Sequence, residues 1–371
     1  MEPNLIPNLD PNPLPGPFWV FKVLLLVTFV LHILAMNFML GGAVLALIAR
    51  FRGGNREHAN RMATDLAKKL PVLLPATITL GIAPLLFVQV LYGQFFYTSS
   101  VLLAWPWFLV LVFLTIAYYG FYYVSFESGG ETGKGRSVLL VSVLLVFAIG
   151  FIYSNNFSLS QRPSRWKSIY FARTSGWNLN LSEPTLIPRF LHFFTAAIAV
   201  AGLLLVFLAL AKRKKDASYA RYLFQLGGKA FLYATMAQFV IGVWFLLSLP
   251  RDLQKLFLGH TPLAVALLGI GFAGGVAGIV LMSNALHKED IRAGAYTVGG
   301  VMAVVIACMA VVRDLLRNAY LKPYFHPEQF VVKTQWSVFP LFLVLFIGGV
   351  ALWLVMLRRY GLLGRGESAM R

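Results

Sequence analysis

Apolar runs of bilayer length recur along this chain, and a soluble fold has no place for so many. They cover approximately residues 18–49, 71–94, 101–125, 137–154, 187–211, 224–248, 262–285, 294–312 and 335–357. A helix needs about 20 apolar residues to cross the hydrocarbon core, so each run is long enough or nearly so. The clearest follows the turn residues SEPTLIP, runs from Phe190 to Ala211 and stops at the basic block Lys212–Lys215. Backbone polar groups in hydrocarbon must be satisfied within each segment. The pattern therefore predicts an all-α polytopic membrane protein with nine transmembrane helices. Internal repeats and low-complexity tracts are absent, so residues 1–371 read as a single transmembrane domain.

The charges agree once their positions are considered. Charged residues are only 12% of the chain, against about 25% in soluble domains. A net charge of +18 would suit nucleic acid if it formed a patch, but here the cations are dispersed among short connections. The connections after runs one, three, five and seven, with the C-terminus, hold 19 Lys and Arg. The opposite set, with Arg189 counted among them, holds 11. The richer side is cytoplasmic by the positive-inside rule, which places the N-terminus outside and the C-terminus in the cytoplasm. The first 17 residues carry six prolines and no Lys or Arg. They lack the basic start of a cleaved leader and read as a retained, extended outer arm. The two long connections, 155–186 and 313–334, fall on the outer side and form a basic, aromatic cap.

With one cysteine, Cys308, the chain has no disulfide, no thiolate metal site and no CxxCH for covalent haem. Any metal cofactor would rest on His, Met or carboxylate. Two histidines lie inside apolar runs, His32 and His192, and an ionisable group at that depth needs a partner or a function. Met36 and Met39 follow His32 at i+4 and i+7 on the same helical face. His192 lies about 8 Å into its helix at 1.5 Å per residue, so both histidines fall in the outer half. Each could be a neutral histidine bonded to a neighbouring helix. Two at similar depth also suit axial ligation of a non-covalent b-type haem.

Other residues rank behind these. His260, at the outer start of run seven, could reach a haem; His58, His287 and His326 lie on connections. Every Asp and Glu falls at a run end or in a connection, which argues against a proton-coupled transporter or a self-sufficient proton-consuming oxidase. Arg313, Asp314 and Arg317 could be an interfacial ion pair, or the arginines, with their planar forks, could bond haem propionates. Arg251, Asp252 and Lys255 could touch a quinone head group or simply be solvated. Gln89, Tyr92, Gln94, Trp105 and Trp107 could line a pocket or form an aromatic belt.

In order and local wording the chain resembles subunit I of the cytochrome bd quinol oxidases. HILAMNFMLGGAVLALIA is similar to that family's first-helix histidine segment. FVQVLYGQFFYTSS is similar to its second-helix end, and NLSEPTLIPRFLHFFTAAIAVAG to its fifth-helix segment. The resemblance places His32 on the haem ligand of the oxygen-reducing side and His192, with Arg189 before it, on the low-spin b-haem ligand. RDLLRNAYL is a degraded Gly-Arg-Gln-Pro-Trp motif, with Arg317 and Tyr320 at its arginine and tryptophan places. The departures are the third-helix glutamates, which VFLTIAYYGFYYV lacks, and the glutamate position that falls near Tyr324. The methionine that pairs with the fifth-helix histidine falls near Leu267, and the quinol-binding loop is cut to about a dozen residues.

The resemblance implies a multi-pass protein of the bacterial inner (cytoplasmic) membrane. It would bind haem b through His32 and His192 and would have lost oxygen reduction. Electrons would pass between menaquinol or ubiquinol in the lipid bilayer and an outer redox partner such as a c-type cytochrome. The alternatives are a quinol:oxygen oxidoreductase subunit, or a haem-free structural subunit or transporter. No nucleic acid is expected.

Overall fold

A computed structural model describes residues 6–8, 12–51, 57–127, 133–173, 175–288 and 291–360. Among them the fold is all helix, apart from one isolated bridge between Leu14 and Val332. The helices are α1 (Phe18–Phe51), α2 (Glu57–Ala67), α3 (Leu70–Phe126), α4 (Gly133–Ser160), α5 (Trp166–Ala172) and α6 (Leu186–Lys212). They continue as α7 (Ala217–Ser248), α8 (Arg251–Lys255), α9 (Pro262–Leu286), α10 (Ile291–Leu321) and α11 (Val338–Tyr360). Eight of these are long and apolar enough to cross a membrane, which makes this a multi-pass membrane protein.

Eight helices stand where nine runs are expected because α3 takes in both 71–94 and 101–125. Its 57 residues would reach about 85 Å if straight. They do not run straight. Tyr92 and Ala104 leave helical geometry, and the rings of Phe96 and Trp107 come within 5.7 Å. Ile78 shares a groove with Leu114, Tyr118 and Tyr122, so the first and last segments of α3 lie side by side. The second break has a covalent cause. Pro106 has no N–H to give to Leu102, four residues back. The freed Leu102 carbonyl instead accepts from Asn178 Nδ2 at 3.1 Å, and Trp105 N–H donates to the Gly176 carbonyl at 3.1 Å.

Helix ends follow the same local chemistry. Asp216 caps α7, its carboxylate accepting from Tyr219 N–H at 3.0 Å. Pro262 opens α9, where its missing N–H costs nothing. Two segments expected to be connections are partly helical: 155–160 completes α4 and 313–321 completes α10. Asp314 consequently lies within a helix, seven residues from its end. The arm joins the 313–334 segment by hydrogen bonds from Leu14 N–H to Val331 O and from Lys333 N–H to Leu14 O.

Packing includes two large sealed regions and a smaller one around Leu249, Phe257, Ala264, Leu316 and Tyr320. One of the large regions, at the ends of the helices nearer the arm, includes Phe21, Leu25, Leu91, Phe95, Trp166 and Leu321. The other takes in Met39, Ala46, Leu74, Phe121, Val206 and Phe224. Between them the bundle is slack. Residues 29–34 of α1 and 191–196 of α6 all keep partial exposure, and the histidines lie in these two windows.

Candidate functional site

α10 provides a common ruler for the depth of both histidines. On α1, Lys22 bonds Asp314 and Asn318, and Phe29 lies 4.2 Å from the Arg313 guanidinium. On α6, Phe207 meets Tyr296 and Gly299 of α10, while Arg189 lies within electrostatic reach of Arg313 and Tyr320. α1 and α6 therefore run parallel to each other and antiparallel to α10. Both histidines fall near the level of Arg313, which also acts electrostatically on His32. The two helices touch directly below, where a side chain at Gly41 would collide with the Ala197 carbonyl.

His32 sits against the first segment of α3. Its Nδ1 lies 3.0 Å from the Thr77 carbonyl, which can only accept, so the proton is on Nδ1 and Nε2 carries a lone pair. Gly81, one turn on, makes room for the ring: a Cβ there would lie 2.8 Å from Cε1 and Nδ1. An imidazole oriented by a backbone carbonyl through one nitrogen presents the other as a ligand. This arrangement also satisfies a histidine that binds nothing.

His192 differs. Its Nδ1 is sealed without a hydrogen-bond partner, beside Gly242 of α7. Its carbonyl accepts from Gln238 Nε2 at 2.7 Å. A buried ring nitrogen left without a partner is uncommon.

The arginines divide by what already occupies them. Arg317 donates to Asp314 and stacks 4.3 Å over Tyr92. Arg189 donates to Gln161 at 3.2 Å and lies over Phe245. Arg313 makes no hydrogen bond and no ion pair among the described residues. Its guanidinium is held by Phe29 and Phe157, at 4.2 and 5.4 Å. Unlike Arg189 Nε and Arg317 Nε, its nitrogens are not among the sealed, unpartnered atoms. A partly open cation thus lies near the depth of the two histidines.

The remaining expected residues are less engaged. Met36 packs against the second core region. Tyr320 is buried with an unpartnered hydroxyl, and Arg162 lies 5.2 Å over its ring. The side chain of His260 lies outside the described residues; its backbone closes the turn Leu256–His260 before α9. Thr77, Gly81 and Gln238 carry no signal of their own in the sequence, since only the pairing of helices reveals them. No group of three or more His, Cys, Asp or Glu gathers as a metal site among the described residues.

No family model matches the chain, and no curated protein matches it in sequence. A solved structure does: the bd oxidase from Geobacillus thermodenitrificans. The likeness covers 93% of this chain and 99% of that chain, with a TM-score of 0.62 and 15% identity. At that identity what is shared is the fold.

Proposed function

We propose that this chain is a b-type haem-binding subunit of a membrane electron-transfer complex, distantly related to the bd oxidases. The observation that carries the reading is that His32, His192 and the unpaired guanidinium of Arg313 fall at similar depth in the bundle. A haem is a flat apolar plate with two carboxylates, and the residues here fit it: the imidazoles lie in the slack level, and one cation there has no protein anion. Arg313 would hold a propionate, and the sealed Arg189, Arg317 and Tyr320 donors would add positive potential behind it. The haem, when bound, supplies one-electron redox chemistry, which its ligands and low-dielectric surroundings tune. The Thr77 carbonyl fixes the orientation of His32, and the apolar walls exclude water.

Within this reading α3 counts as two crossings, giving nine, with the N-terminus outside and the C-terminus cytoplasmic in a bacterial inner membrane. Support comes from the side-by-side ends of α3 and from the distribution of Lys and Arg. The arm and the segments 155–186 and 313–334 then form an outer cap. Menaquinol or ubiquinol would exchange electrons through the haem with an outer partner such as an acidic c-type cytochrome, drawn to the cap by charge.

The test is a pyridine haemochrome spectrum of the purified protein, repeated on His32→Ala and His192→Ala. Haem b is expected in the wild type, with each substitution removing or altering a distinct signal. A wild type without a Soret band would refute the reading and leave a haem-free structural subunit. Rapid oxygen consumption with quinol would favour an oxidase.

A further inference from the structure

The reason Arg313 lacks a carboxylate lies one residue away. Asp314 is buried, and both its oxygens are taken: Oδ1 by Lys22 at 2.8 Å and by Arg317, Oδ2 by Asn318 Nδ2 at 3.2 Å. Lys22 completes the network. Its ammonium donates to Asp314, to Asn318 Oδ1 at 2.9 Å and to the Tyr92 hydroxyl, which in turn donates to Asn318 at 3.1 Å. All three of its N–H bonds are used. Lys22 comes from α1, Tyr92 from the first break in α3, and Asp314, Arg317 and Asn318 from α10.

In low dielectric a carboxylate beside a free guanidinium should pair with it. Here Lys22 and Arg317 hold Asp314 instead. We propose that Lys22 is a positioning residue: by binding and neutralising Asp314 it keeps Arg313 as an uncompensated cation beside His32, available to an anionic group. Lys22 and Asp314 then act as a compensating pair that sets the positive potential at the His32 level. This inference rests on the haem reading and extends it to a residue that need not touch the haem.

The size of the effect follows from position. Lys22 and His32 are ten residues apart on α1, or about 15 Å. One unit of charge at that distance, at an effective dielectric of about 20, alters a redox equilibrium by roughly sixfold. A cation favours the reduced haem.

The experiment is a spectroscopic redox titration of the purified haem protein and three variants. At fixed ambient potential, Lys22→Met should lower the ratio of reduced to oxidised haem by about sixfold. Asp314→Asn should raise it by a similar factor. The double variant Lys22→Met/Asp314→Asn should return within about twofold of wild type. The double variant also removes a buried pair together rather than stranding one charge. If one single variant fails to accumulate, the other is read against the double variant, from which it should differ by about sixfold. Haem retained with the ratio unmoved in Lys22→Met, or shifted more than about fivefold in the double variant, would overturn the proposal while leaving haem binding in place. A wild type without haem would remove its premise.

Discussion

Gly81→Ala adds one methyl group against the face of His32. The new Cβ would lie 2.8 Å from ring atoms Cε1 and Nδ1, where ordinary carbon contacts begin near 3.4 Å. The ring must therefore withdraw by about 0.6 Å. Thr77, which accepts the Nδ1 proton, lies one turn away on the same helix, so withdrawal stretches the 3.0 Å hydrogen bond towards 3.6 Å, where it ceases to be one. Losing it costs about 1 kcal/mol, and overpacking adds about 1–3 kcal/mol. Alanine's better helix propensity returns up to about 1 kcal/mol. A net destabilisation of about 1–3 kcal/mol is expected and, if His32 holds the proposed haem, a displaced or weakened visible signal. Gly42→Ala is the control, because a Cβ there meets nothing within 4 Å. Melting in detergent and the visible spectrum read both variants. If Gly81→Ala behaves like Gly42→Ala in both measurements, the position of His32 does not depend on this contact and the reasoning fails.

Two predictions concern the ends of the bundle. Asp216, just before α7, is held at a pKa of about 2 by the Tyr219 N–H, by Arg61 and by Ser218. Its stabilisation is present above the unfolded value of about 3.9 and is lost as pH falls through about 2; Asp216→Asn should flatten the melting profile between those limits, and an unchanged profile would refute the assignment. Burial pushes the Glu183 carboxyl up, but hydrogen bonds and charge from Arg162, the Thr185 hydroxyl and Arg165 outweigh it and hold it below its ordinary value. Its contribution is thus full above about 4.3 and declines as pH falls below that. Glu183→Gln should destabilise the 155–186 connection by about 2 kcal/mol at neutral pH, less than the roughly 3–5 of a fully buried pair because both arginines stay near 30% exposed. Faster proteolysis of the 155–186 segment with α6 intact is the readout; equal rates would count against it.

Hydropathy alone located the membrane segments, because a span needs only its own residues to be recognised. A boundary was legible between the runs 71–94 and 101–125, but the Pro106 break lies inside the second run, and sequence could not say that the chain stays helical across both. The depth of the histidines could be read by counting residues from the run ends. Their partners could not: Thr77 is 45 residues from His32, and Asp314 is 292 from Lys22. Lys22 stands in an apolar run, and nothing near it in sequence identifies Asp314 as its partner. Asp314 looked interfacial because charges mark run ends by rule, whereas α10 continues through it, sustained by Lys22 and Arg317.

The slack level between the two packed regions bears on how such a protein is made. Helices gripped at both rims can reach their final arrangement while the middle stays loose enough to admit a rigid guest. Loading a prosthetic group could then follow membrane insertion, as a separate step that needs only local side-chain rearrangement.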